Sequence, residues 1–98
     1  MAKVWTHGRW TVRPGEEEAF IAAWTSLARR AMSELDSGTP TLLRDRDRPD
    51  LFLTFGAWPS IEAVAAFRDS DAFREGVATM QPLLDSFEPS TLDEVAWS

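Results

Sequence analysis

Eight consecutive residues, Leu51-Phe52-Leu53-Thr54-Phe55-Gly56-Ala57-Trp58, constrain the fold more than any other stretch of the chain. They have the composition of a β-strand, and strand alternation sets apolar side chains on both of its faces. Such a strand must be covered on both sides. One layer of helices covers only one of them. The 98-residue, 11.0 kDa chain has room for a single core, so residues 1–98 read as one domain. A central strand that left Phe or Leu in water would form an adhesive patch. The economical arrangement is a two-fold homodimer, sheet against sheet.

The other elements follow from their patterns. Residues 4 to 13 are rich in β-branched and aromatic side chains and read as a strand. Val4, Thr6, Gly8, Trp10 and Val12 share one face; Trp5, His7, Arg9, Thr11 and Arg13 share the other. Pro14-Gly15 breaks the strand, and Glu16, Glu17 and Glu18 suit the positive end of a helix. Phe20, Trp24, Leu27, Ala28 and Ala31 make one helical stripe, which Gly38-Thr39-Pro40 stops after Leu35. Thr41 to Arg48 and Leu51 to Trp58 form a hairpin about Arg48-Pro49-Asp50, its first strand polar like a sheet edge. Ser60 caps a helix with Ile61, Val64 and Ala65 inward. Ser70 caps a further segment with the stripe Phe73, Val77, Met80 and Leu84, which Pro82 ends. Phe87 to Trp97 reads as a last strand whose start Pro89 delays. No internal repeat or linker is read in the sequence. The order is βαββαβ, an α+β, ferredoxin-like split βαβ: a four-stranded antiparallel sheet with helices on one face.

Charge and composition narrow the function. The net charge of −6 disfavours nucleic acid and anionic membrane surfaces as partners. No apolar run approaches a membrane span, and the first residues lack the apolar stretch of a signal peptide, so a cytoplasmic location is expected. Cysteine is absent and histidine occurs once, which leaves no zinc set and no thiol nucleophile. The interleaved Arg44-Asp45-Arg46-Asp47-Arg48 reads as a solvated hairpin edge rather than an Asp-x-Asp metal site, because its arginines would repel a cation. Neither a metal nor a cofactor is expected. Five Trp and six Phe are the unusual feature. Trp10, Phe20, Trp24, Phe67 and Phe73 should converge between sheet and helices, either as a pocket for a flat ring system or as core that fills the same space. Trp58 either ends its strand beneath the pocket rim or clamps the helix behind it.

Val12-Arg13-Pro14-Gly15, Asp47-Arg48-Pro49-Asp50-Leu51-Phe52, Trp58-Pro59-Ser60-Ile61-Glu62-Ala63 and Phe67-Arg68-Asp69-Ser70-Asp71-Ala72-Phe73 together resemble the antibiotic biosynthesis monooxygenase family. In order and spacing the resemblance runs over residues 4 to 95. It implies a dimeric α/β barrel with a pocket between each sheet and its helices. It also implies an activity: cofactor-independent oxygenation of quinols or polycyclic aromatics, or haem degradation. The haem-degrading members' Asn, Trp and axial His fall on Gly8, Phe67 and Val77, so the axial donor that haem iron requires is missing. The His and acid of quinol-oxidising members fall on Phe67, Ala72 and Gly56 and are missing too.

The leading expectation is therefore a cofactor-independent monooxygenase acting on an electron-rich quinol or anthrone, with Thr6, Trp10, Phe20, Trp24, Trp58, Phe67 and Phe73 around the substrate. His7 is the one candidate base by its intrinsic pKa. Alternation sets it on the face away from the pocket, and a bulge at Gly8 would reverse that parity. The alternatives are a dimeric binding protein that holds a small apolar metabolite without chemistry, and an isomerase or cyclase on the same scaffold.

Overall fold

A computed structural model describes residues 3–35 and 37–96. In chain order its elements are β1 (Val4–Val12), α1 (Glu17–Glu34), β2 (Thr41–Arg44), β3 (Leu51–Trp58), α2 (Ile61–Asp69), α3 (Asp71–Met80) and β4 (Leu84–Asp93). One 3₁₀ turn, Gln81–Leu83, leads into β4. The strands form a single antiparallel sheet in the order β2-β3-β1-β4. This is the ferredoxin-like arrangement expected from the sequence, with the second crossover divided between α2 and α3.

Each boundary has a local cause. Pro14-Gly15 ends β1, and Gly15 takes a φ of 88°, a region where a Cβ is costly. Ser70 ends one helix and starts the next. Its hydroxyl donates to the Phe67 carbonyl at 2.6 Å and accepts from the Phe73 amide at 3.1 Å. Ser60 caps α2 in the same way through the Ala63 amide.

Four expectations are corrected. β2 stops at Arg44 rather than Arg48, because Asp45 Oδ1 accepts from the amides of Asp47 and Arg48 and curls the chain into its loop. β4 begins at Leu84, three residues before Phe87, and ends at Asp93; Trp97 lies outside the described residues. Pro89 sits inside β4 opposite Gly8, and it does so on an edge strand, where proline's missing N–H leaves no ladder bond unmade on the open side. In α2, Val64 is buried while Ile61 and Ala65 are exposed: the helix is short and turns Val64 and Phe67 inward instead.

The main hydrophobic cluster lies on the helix side of the sheet. It joins Trp10, Val12 and Phe52 of the central strands to Phe20 and Leu27 of α1, Ala72 and Met80 of α3, and Leu84 of β4. The stripe read on the first helix is the buried face of α1, with Trp24 half-buried at its edge. The register of β1 against β3 runs unbroken from Val4↔Trp58 to Thr11↔Leu51. No bulge intervenes at Gly8, so strand parity holds and His7 faces away from the core. On that far side, Leu53, Phe55 and Ala57 are only half-buried, while Leu43 and Leu92 are 48% and 40% exposed.

Candidate functional site

The two central strands carry the same five-residue pattern, Thr6-His7-Gly8-Arg9-Trp10 and Thr54-Phe55-Gly56-Ala57-Trp58. This short T-x-G-x-W repeat corrects the expectation of none. Its meaning lies in the register. Thr6 pairs with Gly56 and Gly8 with Thr54, so each threonine stands across from the other strand's glycine. Each tryptophan then folds back over its own strand's glycine to the threonine beyond. Trp10 Nε1 donates to Thr54 Oγ1 at 3.1 Å, and Trp58 Nε1 donates to Thr6 Oγ1 at 3.0 Å. The glycines make this possible. A Cβ on Gly8 would lie 2.6 Å from Trp10 Nε1 and 2.7 Å from Thr54 Oγ1; one on Gly56 would lie 3.2 Å from Thr6 Oγ1. Two buried indoles are thus satisfied by side chains of the sheet itself, and the motif repeats about the His7↔Phe55 pair.

Aromatic contacts extend from both tryptophans. Trp10 stacks on Phe87 at 3.8 Å between ring centroids and leans on Phe20, which meets Phe52 at 5.0 Å. Trp58 packs on Phe67 at 4.8 Å, and Phe67 meets Phe73 edge-on. Members of both chains of rings wall a narrow, open-mouthed cavity of about 70 Å³. α1 closes one side with Trp24, Leu27, Ala28 and Ala31; Pro40 and Ser37 stand at the end of that helix, and Pro89 on β4. The aromatic, apolar lining suits a small flat ligand.

Of the residues read from the sequence as substrate-binding, Thr6, Trp10, Trp24, Trp58, Phe67 and Phe73 all line this cavity. Phe20 does not. It is fully buried between Trp10 and Phe52, behind the wall rather than in it, because its position in the first turn of α1 points it at the sheet. Trp58 is both strand end and pocket floor. Sequence reasoning missed Thr54, Gly8 and Arg68, which also line the cavity. The matching T-x-G-x-W strings were the available signal for the first two; nothing in the local sequence distinguishes Arg68.

His7 stacks on Phe55 at 4.6 Å on the sheet's far face, and its Nδ1 donates to the Thr54 carbonyl oxygen at 3.0 Å. His7 and Phe55 are nonetheless among the residues that line the cavity. No carboxylate lines the cavity; Arg68 and His7 are the ionisable residues of its lining. Among the described residues no group of three or more His, Cys, Asp or Glu could hold a metal. Val77, where haem-degrading relatives carry their axial ligand, is a half-buried core side chain. None of the described helices is long and apolar enough to cross a membrane.

The family model for antibiotic biosynthesis monooxygenases matches residues 4–79. Among solved structures, the chain is similar to SnoaB, a cofactor-independent oxygenase from Streptomyces nogalater (a mutant form). That likeness has a TM-score of 0.88 and 19% identity over 97% of this chain and 95% of that one. It is also similar to a protein from Shewanella oneidensis, with a TM-score of 0.85 and 23% identity over 95% and 91% of the two chains. A protein from Pseudomonas aeruginosa gives a TM-score of 0.83 and 20% identity over 98% and 97%. These likenesses establish the fold. No curated protein matches the chain in sequence.

Proposed function

Because the chain belongs to the antibiotic biosynthesis monooxygenase family, we propose that its cavity oxygenates a flat, electron-rich aromatic of the hydroquinone or anthrone class without a cofactor. The supporting observation is the lining itself: indole and phenyl rings, threonine hydroxyls, one guanidinium and no carboxylate. The chemistry asks little more of a protein. An anthrone that loses a ring-methylene proton becomes an anion able to pass one electron to O₂. The resulting radical pair combines to a peroxide, which loses water, so that CH₂ and O₂ become C=O and H₂O. Aromatic walls that exclude water keep the radicals together. Among the described residues no acceptor takes the Thr54 hydroxyl hydrogen, which leaves it to donate to a substrate oxygen while Trp10 occupies its lone pair.

Oxygen uptake measured with a panel of quinols and anthrones tests this reading, and consumption above the buffer rate with at least one of them is expected. The absence of a carboxylate from the cavity lining favours a second reading, a protein that holds an apolar metabolite without chemistry. Ligand binding with no oxygen consumed by any of the panel would select it.

The proposal includes a homodimer. Its support is the far face of the sheet, where Leu53 and Phe55 of the central strand sit between the exposed Leu43 and Leu92 with no helix over them. A second copy of the same surface, brought in by a two-fold axis, covers that face and gives the double-sided strand its second cover.

A further inference from the structure

One cationic residue of the cavity lining is held in place by neutral partners. Arg68, at the last turn of α2, reaches across to β4, where it donates to Thr91 Oγ1 at 2.6 Å and to the Ser90 carbonyl at 3.1 Å. Both acceptors are neutral. A guanidinium carries five N–H donors, so three remain. Arg9, Arg13, Arg30, Arg48 and Arg74 meet carboxylates, and Arg29, Arg44 and Arg46, which meet none, are exposed to solvent. Among the described residues Arg68 has none, although it is half-buried beside Phe67 and lines the cavity. A positioned cation with spare donors and no counter-charge, set against aromatic walls, is built to receive an anion.

We infer that Arg68 makes the cavity selective for flat aromatics bearing an anionic oxygen: a phenolate, an enolate or a ring carboxylate. The inference rests on the proposed function and deepens it, because it addresses the missing carboxylate. A cation beside a phenol or enol favours its ionised form. The O–H bond breaks with its electron pair left on the substrate oxygen, and the proton passes to water at the cavity mouth. No side chain in the cavity has to accept it. The resulting anion, paired with Arg68, is the species that reduces O₂.

Two probes of one shape separate the possibilities: 2-naphthoate, an anion, and 2-naphthamide, its neutral counterpart. Binding of each to the full chain is measured by calorimetry. The protein's overall charge of −6 works against the anion, so a preference for it has to arise locally. Naphthoate is expected to bind about tenfold or more tightly than naphthamide, the size of one charge-assisted hydrogen bond. Arg68→Gln should abolish that preference while leaving naphthamide affinity unchanged, and Arg68→Lys should keep part of it. Equal affinities in the unsubstituted protein overturn the inference and leave the aromatic cavity standing. Equal weakening of both probes in Arg68→Gln also overturns it, since that is what a mere tether between α2 and β4 would produce. If neither probe binds at millimolar concentration, the open aromatic site fails, and the proposed function with it.

Discussion

At the scale of residues, the floor of the cavity depends on two glycines and two threonines. Gly8→Ala would force a methyl group to within 2.6 Å of the Trp10 indole nitrogen, so the ring must move off Thr54. Thr54→Val keeps the shape but removes the acceptor, leaving a buried indole N–H unpaired, which costs about 1–3 kcal/mol. Gly8→Ala adds overpacking to the same loss, so it should cost more than Thr54→Val. Thermal denaturation of the two variants beside the unsubstituted protein checks the order, and a Gly8→Ala protein as stable as the parent would refute the account. Thr54→Ser, which retains the hydroxyl, should stay close to the parent.

At the scale of elements, Ser70 shows how much of this fold is legible locally. A serine six residues after Val64 and three before Phe73 signals a cap, and the structure uses it to end α2 and begin α3. Ser70→Ala removes both bonds and should cost about 1 kcal/mol, near the centre of the 0.5–2 kcal/mol found for caps, as a lowered midpoint in chemical denaturation. The same local logic fails in β2 and β4. The early end of β2 depends on a side chain, Asp45, binding its own loop. The early start of β4 depends on β1 being there to pair with Leu84, Ser86 and Phe87. Pro89 reads as a strand breaker until one knows that its strand is an edge. Ile61 and Ala65 were assigned inward on spacing alone; in a helix this short, the contacts of Val64 and Phe67 decide which side faces in.

At the scale of the whole molecule, the distribution of apolar surface is one-sided. The chain is a slab of 41 × 30 × 18 Å, a sheet with helices on one side. If two copies close their open sheet faces together, light scattering on a sizing column should give twice the 11.0 kDa of the chain. Leu53→Glu, which sets a charge in the centre of that face without touching the core, should reduce the mass to a single chain. An unsubstituted protein that runs as a monomer at micromolar concentration would remove the dimer from the proposal.

The division between sequence and structure has one physical origin. Side-chain alternation along a strand and the stripe along a helix are set by backbone geometry that every short segment carries with it. The faces of β1 and β3, the stripe of α1 and the outward direction of His7 were therefore readable from residues a few positions apart. The Thr–Gly–Trp pairs, the space between the two chains of rings and the reach of Arg68 to β4 are relations between residues 22 to 52 positions apart. Only the packing of the sheet brings such partners together.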